Sequence, residues 1–301
     1  MTEKKFYRPV GADAPLIKDD PRNLGDIIVD SITGNNSSAS FAIDTISEKT
    51  SGSGVTIDSV LIKDGEISSQ LTGLWNGLTP GLEPSTAFMF FDDFMSCAAS
   101  AAPLAEWTVT EDDAADTQLI DDAAGGTLTL TCKGTTDNDS CQVQHQTEMF
   151  KPVLAKKIYF EARIKSASGD MTNSDWFIGL AASEDLTAVA DNMPANGIGF
   201  HKEDAAATFS LSTSDNGTNV QSAAVGTIVD DTYIRIGFVW DGAATGSVTI
   251  TPYINGVAGT AITAGTYGTM VEISPIIMVR NGDGTTTQTL VVDYFKCVQL
   301  R

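Results

Sequence analysis

From Ala87 onward the chain breaks into about fifteen short apolar or alternating segments, separated by Gly, Asn, Asp and Ser turn signals. This spacing constrains the fold more than any other feature, because it leaves no room for helices of useful length. The candidate strands are Ala87–Phe94, Glu106–Thr110, Thr117–Ile120, Thr127–Cys132, Gln142–His145, Lys157–Lys165, Trp176–Ala182 and Gly197–His201. They continue with Thr208–Ser212, Val220–Ala224, Tyr233–Trp240, Ser247–Ile254, Gly259–Thr263, Val271–Arg280 and Thr287–Leu300. Only Leu186–Ala190 reads as a single helical turn. The pattern predicts an all-β sandwich over 87–301. In KIYFEARIKSA, Ile158, Phe160, Ala162 and Ile164 fall on one face and Tyr159, Glu161, Arg163 and Lys165 on the other. That alternation predicts a sheet with one wet face.

The N-terminal part reads differently. Residues 1–24 form an extended arm, since Pro9, Pro15 and Pro21 interrupt any helix. Residues 25–77 hold short β segments at Gly25–Asp30, Ser40–Ile46, Val55–Ile62 and Gly65–Leu71. A β unit this small buries a thin core and needs neighbouring copies or a docking surface. Residues 78–86, with LTPGLEPS, read as a linker to the sandwich.

The net charge is −21, unevenly spread. Asp64–Cys132 holds twelve acidic residues and no Lys or Arg, whereas Met1–Arg22 carries five basic and four acidic ones. An acidic surface repels phosphates, so nucleic acid is not an expected partner. No apolar run approaches the roughly 18–20 residues that span a bilayer, so no membrane insertion is expected. The opening MTEKKFYRPVG has no apolar leader core, which predicts assembly in a cytoplasm.

The order of motifs in the second part is F-F-D-D-F, W-T-V at Trp107, A-G-G-T-L-T-L, I-Y-F-E-A-R-I-K, D-W-F-I-G-L and a final L-V-V-D-Y-F. It resembles the concanavalin A-like (laminin-G-like) jelly roll. The resemblance implies that the first and last strands lie side by side. Asp92/Asp93-Phe94 would then neighbour Val292-Asp293-Tyr294, and Cys97 would approach Cys297.

The segment from Glu48 to Gly65 reads E-K-T-x-x-x-G-V-T-I-D-x-V-x-x-K-D-G. This wording resembles a run near the N-terminus of tailed-phage virion proteins. The resemblance implies a head decoration (cement) protein, a homotrimer bound to the major capsid protein on the virion surface and assembled in the host cytoplasm. The candidate residues for capsid binding or oligomerisation are Lys4, Lys5 and Arg8 of the basic arm, Glu48, Lys49, Val55, Ile57, Asp58, Lys63 and Asp64 of this run, and Trp75, which stands in a loop-like setting before the linker. The alternative is a head- or tail-fibre receptor-binding protein whose jelly roll binds host surface glycans.

Catalytic constellations are sparse. Hydrolases of the jelly-roll family that resemble laminarinases carry E-x-D-x-x-E on one strand, which suits retaining hydrolysis. No such run occurs here, and Glu161 has only Arg163 and Lys165 as same-face companions. His145 and His201 stand apart, and no G-x-S-x-G is present. The expectation is therefore no enzyme and no cofactor. Calcium is left open at Thr135–Ser140, Asp215–Gly217 and Asn281–Gly284, although Asn-Gly and Asp-Gly are also what tight turns demand. Cys132 and Cys141 flank Lys133–Ser140 and are expected to face each other across a hairpin as buried thiols. Zinc is not expected from this spacing. Trp107, Trp176 and Trp240 read as core, and Trp75 as a contact residue outside it.

Overall fold

The structure is a computed structural model that describes residues 55–57, 60–63, 66–68, 73–75, 85–95, 106–113, 116–121, 125–133, 136–167, 171–189, 193–242, 247–264 and 271–301. In chain order, β1 (Val55–Ile57), β2 (Val60–Lys63) and β3 (Glu66–Ser68) form a three-stranded sheet, with β2 and β3 antiparallel. The sequence-predicted arm, the strands at Gly25–Asp30 and Ser40–Ile46, and most of the 78–86 linker lie outside the described residues.

The remaining strands are β4 (Ala87–Asp92), β5 (Trp107–Glu111), β6 (Thr117–Asp121), β7 (Thr127–Cys132), β8 (Ser140–His145), β9 (Ile158–Ser166), β10 (Ser174–Ala181) and β11 (Gly197–Lys202). They continue with β12 (Thr208–Asp215), β13 (Thr218–Thr227), β14 (Ile234–Trp240), β15 (Val248–Ile254), β16 (Val257–Ala258), β17 (Ile262–Ala264), β18 (Ser274–Asn281) and β19 (Gln288–Leu300). Two antiparallel sheets face each other. The front sheet runs β13-β12-β11-β10-β18-β8-β5; the back sheet runs β16-β15-β14-β9-β19-β7-β6, with β17 beside β15 and β4 beside β19. Among the described residues the only helical elements are 3₁₀ turns at Gly73–Trp75, Met171–Asn173 and Leu186–Ala188.

The core follows from period-two burial. Ile158, Phe160, Ala162 and Ile164 of β9 point inward, as do Trp176, Ile178 and Leu180 of β10 and Phe238 and Trp240 of β14. Phe160 stacks on Phe238 with ring centroids 4.9 Å apart and meets Phe295 edge-on at the same distance. Each such ring, fully buried, contributes about 1.5–3 kcal/mol. The three tryptophans expected in the core are there.

First and last strands pair as expected: Asp92 faces Phe295 and Phe90 faces Cys297. Asp92 ties the two sheets together at this edge. One carboxylate oxygen accepts from Phe94 N at 2.8 Å, and the other from Trp107 Nε1 at 3.0 Å. Cys297 is buried in the core; Cys97 lies outside the described residues.

Two expectations are corrected. The outward face of β9 is not uniformly wet, because Tyr159 and Glu161 are buried. Leu74 and Trp75 of the first 3₁₀ turn lie over that face. A Cβ on Gly237 would stand 2.2 Å from Leu74 Cδ1, so the missing side chain makes the seat for Leu74. Trp75 stacks on Tyr159 at 6.3 Å, and Lys296 Nζ sits 4.0 Å from the Trp75 ring centre. Glu161 accepts from the Tyr294 hydroxyl at 2.7 Å. The second correction concerns Cys132 and Cys141. They do not face each other across a hairpin, because β7 belongs to the back sheet and β8 to the front. Burial pushes the Cys141 thiol up to about 12 and the Cys132 thiol higher still.

Candidate functional site

The segments WTVTE and SCQVQH place Trp107, Val109, Cys141 and Val143 inward, so the intervening Thr and Gln residues face out. Antiparallel register sets Thr108 opposite Gln144 and Thr110 opposite Gln142. Two rows of hydroxyl and amide groups therefore form a polar floor at the β5–β8 edge of the front sheet.

The chain leaving β10 builds a wall beside this floor. Gln142 donates to the Glu184 main-chain oxygen at 2.8 Å and accepts from Leu186 N at 2.8 Å. Gln144 donates to the Ala182 oxygen at 2.8 Å and accepts from Glu184 N at 3.3 Å. From the next strand over, Arg280 Nη2 donates to the main-chain oxygens of Leu186, Thr187 and Val189 at 2.9–3.0 Å. Asp185 caps the 3₁₀ turn by accepting from Thr187 N at 3.0 Å. Leu186 itself sinks into a small apolar cluster with Phe177, Ala181, Ile276 and Met278, outside the main core. This strap is thus fixed by side-chain hydrogen bonds and by its own buried leucine.

Floor and wall enclose a cleft of about 300 Å³. Its hydroxyls come from Thr108, Thr110 and Ser183, its amides from Gln142, Gln144 and Gln146, and its carboxylates from Glu184 and Asp185. His145 stands at one end. Its Nδ1 lies 3.1 Å from Thr147 N and 3.3 Å from the Thr147 main-chain oxygen. Glu106 Oε2 lies 3.7 Å from its Nε2. The ring packs edge-on against Phe90 at 5.1 Å and Trp107 at 5.7 Å. The Gln142 and Gln144 amides are taken up by the strap, so the Thr108, Thr110 and Ser183 hydroxyls and the Gln146 amide are left to donate and accept, which matches a ligand rich in hydroxyl groups.

Sequence reasoning missed this site. Gln142 and Gln144 were visible as alternating polar positions, but their partners come from β5 by register and from the strap by packing. Of the residues marked for capsid binding, Trp75 lies on the back sheet, away from the cleft floor. Val55, Ile57 and Lys63 fall in β1 and β2. Lys4, Lys5, Arg8, Glu48, Lys49, Asp58 and Asp64 lie outside the described residues. Glu161 belongs to the back sheet and contributes nothing to the cleft. His201 is buried on β11.

The loops considered for calcium have other work. Asn216 and Gly217 take φ of 49° and 78° as the two-residue turn between β12 and β13. Asp283 accepts from Thr285 N at 2.8 Å and Thr286 N at 3.0 Å, and these bonds hold its carboxyl down at about 2. Among the described residues no three His, Cys, Asp or Glu side chains gather as metal ligands. Asp139, in the first of these loops, is buried against Asp116. Burial, reinforced by Asp139, raises Asp116 to about 6.

No family model matches this chain, and no curated protein sequence matches it. Solved structures do. An endo-1,3-beta-glucanase from Streptomyces sioyaensis superposes with a TM-score of 0.51 at 16% identity, over 74% of this chain and 99% of that one. The carbohydrate recognition domain of Emp47p superposes with a TM-score of 0.50 at 10% identity, over 72% and 98%. Peanut lectin gives 0.47 at 10% identity, over 71% and 98%. The expectation of no enzyme is corrected here. The same fold carries a glucanase, so the missing E-x-D-x-x-E run removes one arrangement of carboxylates and not catalysis as such. Sheet order and strand register, together with the likenesses to the glucanase and the Emp47p domain, establish the fold: the second part of the chain is a concanavalin A-like jelly-roll sandwich.

Proposed function

We propose that this chain is a phage-surface protein whose jelly roll binds host glycans in the β5–β8 cleft. The observation that carries the reading is the cleft itself, a hydroxyl- and amide-lined pocket on the front sheet of a lectin-like sandwich. The Thr108 and Thr110 main chains belong to the β5–β8 ladder, but their side-chain hydroxyls make no hydrogen bond with any described residue and are available to a ligand. The apolar rings of Phe90 and Trp107 behind His145 stiffen one end of the site. Display on a phage is supported by the Glu48–Gly65 wording.

Full-length chain applied to a broad glycan array tests the reading. Binding to a defined subset, reduced at least tenfold by Thr108→Ala with Thr110→Ala, supports it. Binding to nothing, or binding indifferent to both substitutions, overturns it. New reducing ends in the same incubations would show that the site also cuts what it holds.

The cement reading rests on the Glu48–Gly65 wording. Copy number per particle separates the two roles, since cement covers the shell and a receptor-binding protein occupies few positions.

A further inference from the structure

The cleft is bounded in a way that restricts its ligand, given the glycan reading above. The strap does not stop at Asp185. Ser214 Oγ on β12 donates to the Ala195 main-chain oxygen at 2.9 Å, and Gly217 N donates to the same oxygen at 2.8 Å. A Cβ on Gly197 would stand 2.5 Å from Pro194 Cγ. The strap is therefore anchored at both ends, on β8 and β18 on one side and on β12 on the other. The middle of the front sheet, where Phe177 and Met278 lie buried under Leu186, is closed to a long chain crossing it. What stays open is the β5–β8 end, at about 300 Å³, near the lower bound for a small-molecule site.

Charge restricts the ligand further. The wall presents Glu184 and Asp185, and Glu106 stands beside His145 at the end. Among the described residues no Lys or Arg lines the cleft. The Arg280 guanidinium of the neighbouring β18 is turned to main-chain oxygens of the strap. An anion entering would meet like charge in a partly desolvated pocket without a compensating cation.

We propose that the cleft takes the terminal one or two rings of a neutral or amino-substituted glycan, and rejects uronic and sialic acids and the interiors of polymers. The carboxylate of Asp185 sets the charge preference, and the strap sets the end-on mode.

The test applies full-length chain to an array of neutral, amino-sugar, uronic-acid and sialylated glycans, each with a free and an extended non-reducing end, at low and high salt. Neutral and amino-sugar probes should bind at least tenfold better than anionic counterparts, and extension of the free end should cost tenfold or more. Asp185→Asn, which keeps the cap, should narrow the anionic gap at least threefold at low salt. Equal or better binding of anionic probes, indifference to extension, or an unchanged gap in Asp185→Asn overturns this inference while the glycan reading stands. Binding to no probe overturns both.

Discussion

Arg280 holds Leu186 from outside the main core: its Nη2 donates to the Leu186 main-chain oxygen at 3.0 Å while the leucine side chain is fully buried against Phe177 and Met278. The strap over the front sheet depends on this pairing of one charged clamp with one apolar anchor. Burial lowers the Arg280 pKa, opposed by the nearby carboxylate of Asp175, so the charge is retained at a desolvation cost.

Arg280→Met should release the strap without emptying the sheet. The Thr187 and Val189 main-chain oxygens lose the Arg280 donor, and the Leu186 oxygen keeps only Val189 N, a loss on the order of 2 kcal/mol. The local signature is hydrogen exchange: amides at Leu186 and Val189 should exchange at least tenfold faster, while those of β9 and β14 keep their protection. Uniform loss of protection would mean that Arg280 supports the whole sandwich instead.

The Asp116–Asp139 pair predicts an unusual pH dependence. Asp116 is raised to about 6, first by its burial and then by the neighbouring Asp139 carboxyl. A carboxyl whose native pKa lies above its unfolded value stabilises the fold fully below about pH 4, and that contribution is lost as pH rises through about 6. The loss is on the order of 2 kcal/mol. Denaturant midpoints should therefore fall between about pH 4 and pH 6. Asp116→Asn, which can still accept from Lys133 N, should flatten that slope and raise stability at neutral pH.

The Leu74 seat is tight. Gly237→Ala would drive a methyl group into Leu74 Cδ1 and to within 2.6 Å of the Phe160 main-chain oxygen. Overpacking of this kind costs about 1–3 kcal/mol. Trp75→Ala removes the stack on Tyr159 and the Lys296 contact, and should cost about 1–2 kcal/mol while leaving ligand binding unchanged. Thermal unfolding of both variants measures the two effects.

Asp92→Ala removes the acceptor shared by Phe94 N and Trp107 Nε1. Phe94 sits at φ 51°, a strained setting for a phenylalanine, and Asp92 holds it there. The expected loss is about 1–3 kcal/mol, seen in urea unfolding together with a shifted Trp107 emission.

Strand positions were legible because each depends on local alternation: Thr127–Cys132 is found at the residues read from sequence, and β9, β14 and β15 within one residue. The wet face assigned to β9 failed because its cover, Leu74 and Trp75, comes from a distant part of the chain. The cleft was illegible for the same kind of reason. Thr108 meets Gln144 only through the β5–β8 register, and Glu184 reaches them only because the strap folds back. Gln142 and Gln144, polar at alternate positions beside inward Val143, were the one local sign of it.

The most direct test of the account is amide chemical-shift mapping of the isotope-labelled full-length chain, titrated with the best array ligand. Saturable shifts should centre on Thr108, Thr110, Gln144, His145 and Ser183, with the back-sheet residues Tyr159 and Lys296 unmoved. Shifts centred on the back sheet, or none in the cleft at saturating ligand, would contradict it.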